Sequence, residues 1–78
     1  LFAISTSGNS NNIIKAIEAA KDKNVKVVGM TGVTGGKMAE LCDVLLNVPS
    51  TCTPRIQEAH ILIGHIICEI IESTIFPK

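Results

Sequence analysis

Between the apolar run Leu1-Phe2-Ala3-Ile4 and an amphipathic segment opening at Asn11 lie six small residues, Ser5-Thr6-Ser7-Gly8-Asn9-Ser10. A run without polar alternation suits a strand buried on both faces of a parallel sheet. From Asn11 to about Lys23 the apolar residues Ile13, Ile17 and Ala20 recur at helical spacing, with Lys15, Glu18, Lys21 and Asp22 on other faces. A strand that hands over to a helix across so short a stretch needs a tight turn. Small hydroxylated residues around one glycine provide it. This junction commits the chain to a strand–turn–helix unit.

The remaining segments repeat that alternation. Asn24 can take the left-handed position that ends the first helix. Val25 to Met30 is predicted as a second strand, Thr31 to Gly36 as a loop, Lys37 to about Leu41 as a short helix, and Asp43 to Val48 as a third strand. Pro49 to Thr53 forms a loop, and Pro54 can start a last helix running to about Thr74, roughly 30 Å long at 1.5 Å per residue. Such an order gives an α/β fold with a parallel sheet and right-handed crossovers. Gly32, Gly35 and Gly36 admit two readings, a close backbone approach to a ligand or plain turn geometry, and turn geometry is the commoner use.

Ligands of parallel sheets bind outside the carboxyl ends of the strands, where the Ser5–Ser10 turn is expected. The first N–H groups of the following helix have no partner within it, and the helix dipole adds partial positive charge there. Gly8 allows close approach of the main chain, and the hydroxyls of Ser5, Thr6, Ser7 and Ser10 can rotate toward phosphate oxygens. The stretch is neither a Walker A loop nor Gly-x-Gly-x-x-Gly, so nucleotide and dinucleotide readings lose their support. The competing reading is structural, with Ser10 capping the helix.

Composition narrows the classes. Seven basic and seven acidic residues give a net charge of zero, and two aromatics offer little stacking surface, which argues against direct nucleic-acid binding. Cys42, Cys52 and Cys68 lack a Cys-x-x-Cys pair, so no disulfide framework or cysteine zinc site is expected, and a reducing cytoplasm fits. Glu58, Glu69, Glu72 and two histidines interrupt the last helix, which argues against a membrane span. At 46% apolar, 78 residues carry more apolar surface than so short a chain hides alone. Further chain or neighbouring subunits are expected to cover it.

The last helix is apolar nearly all round, from Ile56 through Ile71, which implies burial on more than one side. Gln57, Glu58, His60 and His65 stand out on it, because a buried polar group needs a partner. Glu69, four residues after His65, could pair with that histidine.

Four motifs occur in order: Ile4-Ser5-Thr6-Ser7-Gly8-Asn9-Ser10; Lys15-Ala16-Ile17-Glu18-Ala19-Ala20; Thr31-Gly32 with Gly35-Gly36-Lys37-Met38-Ala39; and Arg55-Ile56-Gln57-Glu58 with His60 and His65. Together they resemble the bacterial phosphoheptose isomerases of the sugar isomerase (SIS) family. The resemblance implies a three-layer, flavodoxin-like α/β domain of which residues 1–78 are the C-terminal part, with three strands and their helices. It also implies isomerisation of sedoheptulose 7-phosphate to D-glycero-D-manno-heptose 7-phosphate, a step toward lipopolysaccharide heptose, in a cytoplasmic homotetramer. Ser5, Thr6, Ser7 and Ser10 fall on phosphate-binding positions. Gln57 falls on a position that binds substrate or ligates zinc, and His65 on one that ligates zinc or moves a proton; His60 carries no implied role. The family's other zinc ligands, a His and a Glu, lie outside this chain. Thr53-Pro54 stands where some members have Ala-Asp, so an acidic contact to the sugar is missing, while Thr51 and Thr53 could offer hydroxyls.

On one straight helix Gln57 and His65 are separated by about 12 Å along the axis and about 80° around it. A shared metal would need both side chains extended, a bent helix, or different subunits. A second reading is a non-enzymatic SIS module, since relatives with the same turn bind the bacterial replication initiator and others sense phosphosugars in transcription regulators.

Overall fold

In the computed structural model, which describes residues 1–77, β1 (Phe2–Ile4), β2 (Val28–Thr31) and β3 (Val44–Asn47) form a parallel sheet in the order β1-β2-β3. The helix α1 (Asn11–Asp22) follows β1, a 3-10 turn at Gly36–Glu40 follows β2, and α2 (Thr53–Ile75) follows β3. Ala3, Ile17, Val27 and Met38 form the buried core, joined by the partly buried Ile13, Ile14, Ala20, Leu41 and Cys42. This places α1 and the 3-10 turn on one face of the sheet. On the opposite face Ile4 and Met30 meet α2, completing helix–sheet–helix layers. The expected α/β architecture is therefore present.

Local chemistry accounts for the element ends. Asn24 has φ +58°, its N–H donates to the Lys21 carbonyl at 3.0 Å, and the Val25 N–H donates to the Ala20 carbonyl at 2.9 Å. Those paired bonds are a Schellman closure, with asparagine tolerating the left-handed conformation. The closure consumes Val25, so β2 begins at Val28 rather than at Val25 as the apolar run suggests. The N–H of the fully buried Val27 then donates to a side chain, Asp43 Oδ2, at 2.7 Å, while its carbonyl accepts from the N–H groups of Asp43 and Val44.

The Val27 hydrogen bond, more than the nearby Lys26 and Lys21 charges, holds the Asp43 carboxyl below the usual carboxylate range. A lowered folded pKa means this contribution is complete above the ordinary carboxylate pKa and is lost as pH falls through the folded value. Asp43→Asn, which retains an acceptor oxygen without the titration, is expected to show a shallower loss of thermal stability between about pH 5 and 3 than the parent. Parallel acid-melting curves for the two would remove Asp43 as the cause.

Candidate active site

The Ser5–Ser10 turn sits at the carboxyl end of β1, as the strand-to-helix junction requires. The Ser5 N–H donates to the Met30 carbonyl at 3.0 Å, extending the β1–β2 ladder into the turn. Its hydroxyl is the hub: Ser5 Oγ accepts from the Gly8 N–H at 3.1 Å and lies 3.1 Å from Ser10 Oγ and 3.5 Å from Ser7 Oγ. Ser10 occupies the N-cap position with extended backbone, yet its side chain makes no capping hydrogen bond. The capping reading fails because that hydroxyl is turned toward Ser5. No acidic residue lies in the first turn of α1, so the partial positive charge of its N-terminus is not neutralised locally.

The glycines of the neighbouring loop bring chain against chain. Gly8 (φ +71°), Gly35 (φ +75°) and Gly36 (φ +55°) occupy the left-handed region. A Cβ on Gly8 would overlap the Gly35 carbonyl, and one on Gly36 would overlap the Ser7 carbonyl oxygen. The Met38 N–H donates to the Gly8 carbonyl at 3.1 Å, the Lys37 N–H to Asn9 Oδ1 at 2.8 Å, and the Gly32 N–H to the Thr6 carbonyl at 2.9 Å. These bonds brace the turn from behind. The turn-geometry reading of the loop glycines is thereby supported, and Asn9 has a bracing role that its place in a polar run did not signal.

Along α2, Gln57, His60, Ile61, Gly64 and His65 face the turn across a cleft of about 570 Å³, whose other walls are Ile4, Ser5, Thr6, Ser10 and Met30. Five of the six candidate residues, Ser5, Thr6, Ser10, Gln57 and His65, thus line one cavity. Ser7 lies on the other side of the turn, in a smaller recess with Thr34, Ser50, Thr51 and Thr53, and its hydroxyl accepts from the Asn9 N–H at 3.1 Å. Thr51 and Thr53 line that recess rather than the main cleft. The suggested His65–Glu69 pair does not form, and the ion pair among the described residues joins the exposed Arg55 and Glu58 at 3.0 Å.

Neither Gln57 nor His65 has a hydrogen-bond partner among the described residues, which leaves the Gln57 amide oxygen and the imidazole free to take a ligand. The imidazole is a usual zinc donor, and the Gln57 amide oxygen adds a second neutral donor. Among the described residues no group of three or more His, Cys, Asp or Glu side chains could hold a metal ion. No helix among them is long and apolar enough to cross a membrane.

His60, one of the polar residues that stand out on the apolar helix, has its partner: it is 3% exposed and bonded through Nε2 to the Thr31 carbonyl at 2.9 Å. Gly64 carried no sequence signal for its place in the cleft. It leaves the cleft wall open, since a Cβ there would meet nothing within 4 Å.

Comparison with known proteins agrees with the fold. Residues 1–32 match the SIS domain family model. The chain is 64% identical over 77 residues to phosphoheptose isomerase 2 of Campylobacter jejuni, covering 99% of this chain and 38% of that protein. It is 66% identical over 75 residues to the phosphoheptose isomerase of Aneurinibacillus thermoaerophilus, covering 96% of this chain and 38% of the relative. The chain therefore spans less than half the length of these relatives. The solved phosphoheptose isomerase of Neisseria gonorrhoeae superposes with a TM-score of 0.88 at 51% identity, over 91% of this chain and 41% of that one. That of Francisella tularensis gives 0.89 at 43% identity, over 94% and 41%. In sequence and in backbone, over nearly its whole length, the chain is similar to the phosphoheptose isomerases.

Proposed function

We propose that the chain is the C-terminal part of an SIS-domain phosphoheptose isomerase, converting sedoheptulose 7-phosphate to D-glycero-D-manno-heptose 7-phosphate for lipopolysaccharide heptose. The observation that carries this reading is the single cleft in which hydroxyls at a helix N-terminus face Gln57 and His65. The phosphate is held by the hydroxyls of Ser5, Thr6 and Ser10 with the first amides of α1, and Ser7 supports the turn from its outer side. Anion binding at such a helix end needs no lysine.

Aldose–ketose exchange moves a proton between adjacent carbons, and His65, which lines the cleft opposite the phosphate turn, is the group of this chain suited to carry it. Gln57, two turns earlier on α2, binds the sugar or shares a metal with His65. Zinc held by Gln57, His65 and ligands from the remainder of the protein would polarise the substrate carbonyl as a Lewis acid. Such a carbonyl also lowers the cost of removing the neighbouring proton.

The same α2 exposes Leu62, Ile66, Ile70, Ile71 and Ile75 around much of its circumference, apolar surface that further chain or neighbouring subunits would cover. That surface favours assembly into the homotetramer, and the soluble, phosphorylated substrate is consistent with a cytoplasmic enzyme.

The test is turnover of sedoheptulose 7-phosphate by the purified full-length protein, alone and with Ser10→Ala. Because the Ser10 hydroxyl makes no cap, its removal should leave the melting temperature within about 2 °C while raising KM about tenfold, the loss of one charge-assisted hydrogen bond. An inactive parent would end the isomerase reading, and an unchanged KM would take Ser10 out of the phosphate site.

A further inference from the structure

We propose that His60 is the residue that positions the reactive side chains of α2 over the phosphate turn, an inference that rests on the isomerase reading above. Its imidazole is 3% exposed, lies in the cleft wall, and points Nε2 at the carbonyl oxygen of the fully buried Thr31, 2.9 Å away. A carbonyl accepts only, so Nε2 carries the hydrogen, and the second ring nitrogen is Nδ1. That Nδ1 is buried and has no partner among the described residues.

An orphaned buried polar atom costs roughly 1–3 kcal/mol, which an apolar side chain of similar size would avoid. Packing alone is therefore a poor reason for a histidine here, and the Nε2–H bond is what distinguishes it from leucine. The bond joins two working parts of the cleft. The Thr31 carbonyl accepts from the Val48 N–H at 3.0 Å as well as from His60, the Thr31 hydroxyl donates to the Gly32 carbonyl at 3.0 Å, and the Gly32 N–H donates to the Thr6 carbonyl at 2.9 Å. A continuous path of bonded groups runs from the middle of α2 through the end of β2 to the phosphate turn. Gln57 lies one turn before His60, and His65 just over one turn after it. Height and rotation of both, relative to the turn, are set where His60 anchors the helix.

Loss of the anchor should leave the phosphate turn intact and misplace the reacting groups, so kcat falls while KM stays. A displacement of about 1 Å can cost two orders of magnitude in rate. In the full-length protein His60→Leu is expected to lower kcat ten- to a hundredfold with KM changed less than threefold. His60→Gln, whose amide nitrogen reaches about as far as Nε2, should keep at least a third of the parental kcat, while the shorter His60→Asn should fall with leucine. A purely structural histidine would not separate Gln from Asn in this way.

In the parent, the imidazole nitrogen resonances should show a protonated-type Nε2 for His60. An active parent with an equally active His60→Leu, a Gln variant no better than Asn, or a ring protonated on Nδ1 alone would each overturn the anchor and leave the isomerase reading standing. Should the leucine variant fail to fold, the Gln–Asn contrast and the resonances decide. An inactive parent, by contrast, removes the reading on which the anchor rests.

Discussion

Gly8→Ala is expected to destabilise the protein by about 2–4 kcal/mol and to abolish phosphosugar binding. Two penalties combine. At φ +71° any L side chain is strained, and the new Cβ would overlap the Gly35 carbonyl at the place where the two loops touch. Relief would require separating the loops, which breaks the Met38–Gly8 hydrogen bond of 3.1 Å. Gly64→Ala supplies the contrast: it adds the same methyl group inside α2 where nothing lies within 4 Å. Helix propensity then predicts a gain of roughly 0.5–1 kcal/mol. Thermal unfolding of both variants in the full-length protein checks the pair, and equal shifts would mean that the loop contact contributes nothing.

His65→Ala is expected to have the largest effect on chemistry. The side chain is exposed in the cleft and makes no hydrogen bond among the described residues, so its removal should change stability by less than about 0.5 kcal/mol. Loss of a proton-transfer group should nevertheless lower kcat by about 10²–10⁴. Added imidazole, small enough for the vacated space, should restore part of the rate. A variant retaining the parental kcat would move the acid–base role to another residue, while a variant that unfolds would show that His65 supports the structure. Glu69→Gln, one turn further along α2 and unpaired with His65, serves as the control and should leave kcat unaltered.

Much of this was legible in the residues before the fold was known. The apolar runs that open near Leu1, Val25 and Val44 marked the three strands. Burial on both faces, expected for Leu1 to Ile4, is not seen: Ala3 enters the core while Phe2 and Ile4 on the other face are about half exposed, because α2 covers that face only in part. Asn24 announced the end of α1, since it is a non-glycine residue that tolerates a left-handed φ at little cost. Helical periodicity placed α2 to within one residue at each end. Misses fell where a side chain replaced a backbone partner. Val27 reads as strand, yet its N–H goes to Asp43, and no local pattern reports a bond across so many intervening residues.

Chain order and residue type by themselves determined the α/β class, the strand-to-helix turn rich in hydroxyls, and the polar positions on an otherwise apolar helix, because each depends on neighbours close in sequence. Tertiary structure alone decided that Ser10 turns from capping toward Ser5, that Ser7 looks into a separate recess, that the loop glycines serve contact between loops, and that His60 binds Thr31. Each of those depends on which distant segment arrives alongside, and that is set by the packing of whole elements about the sheet.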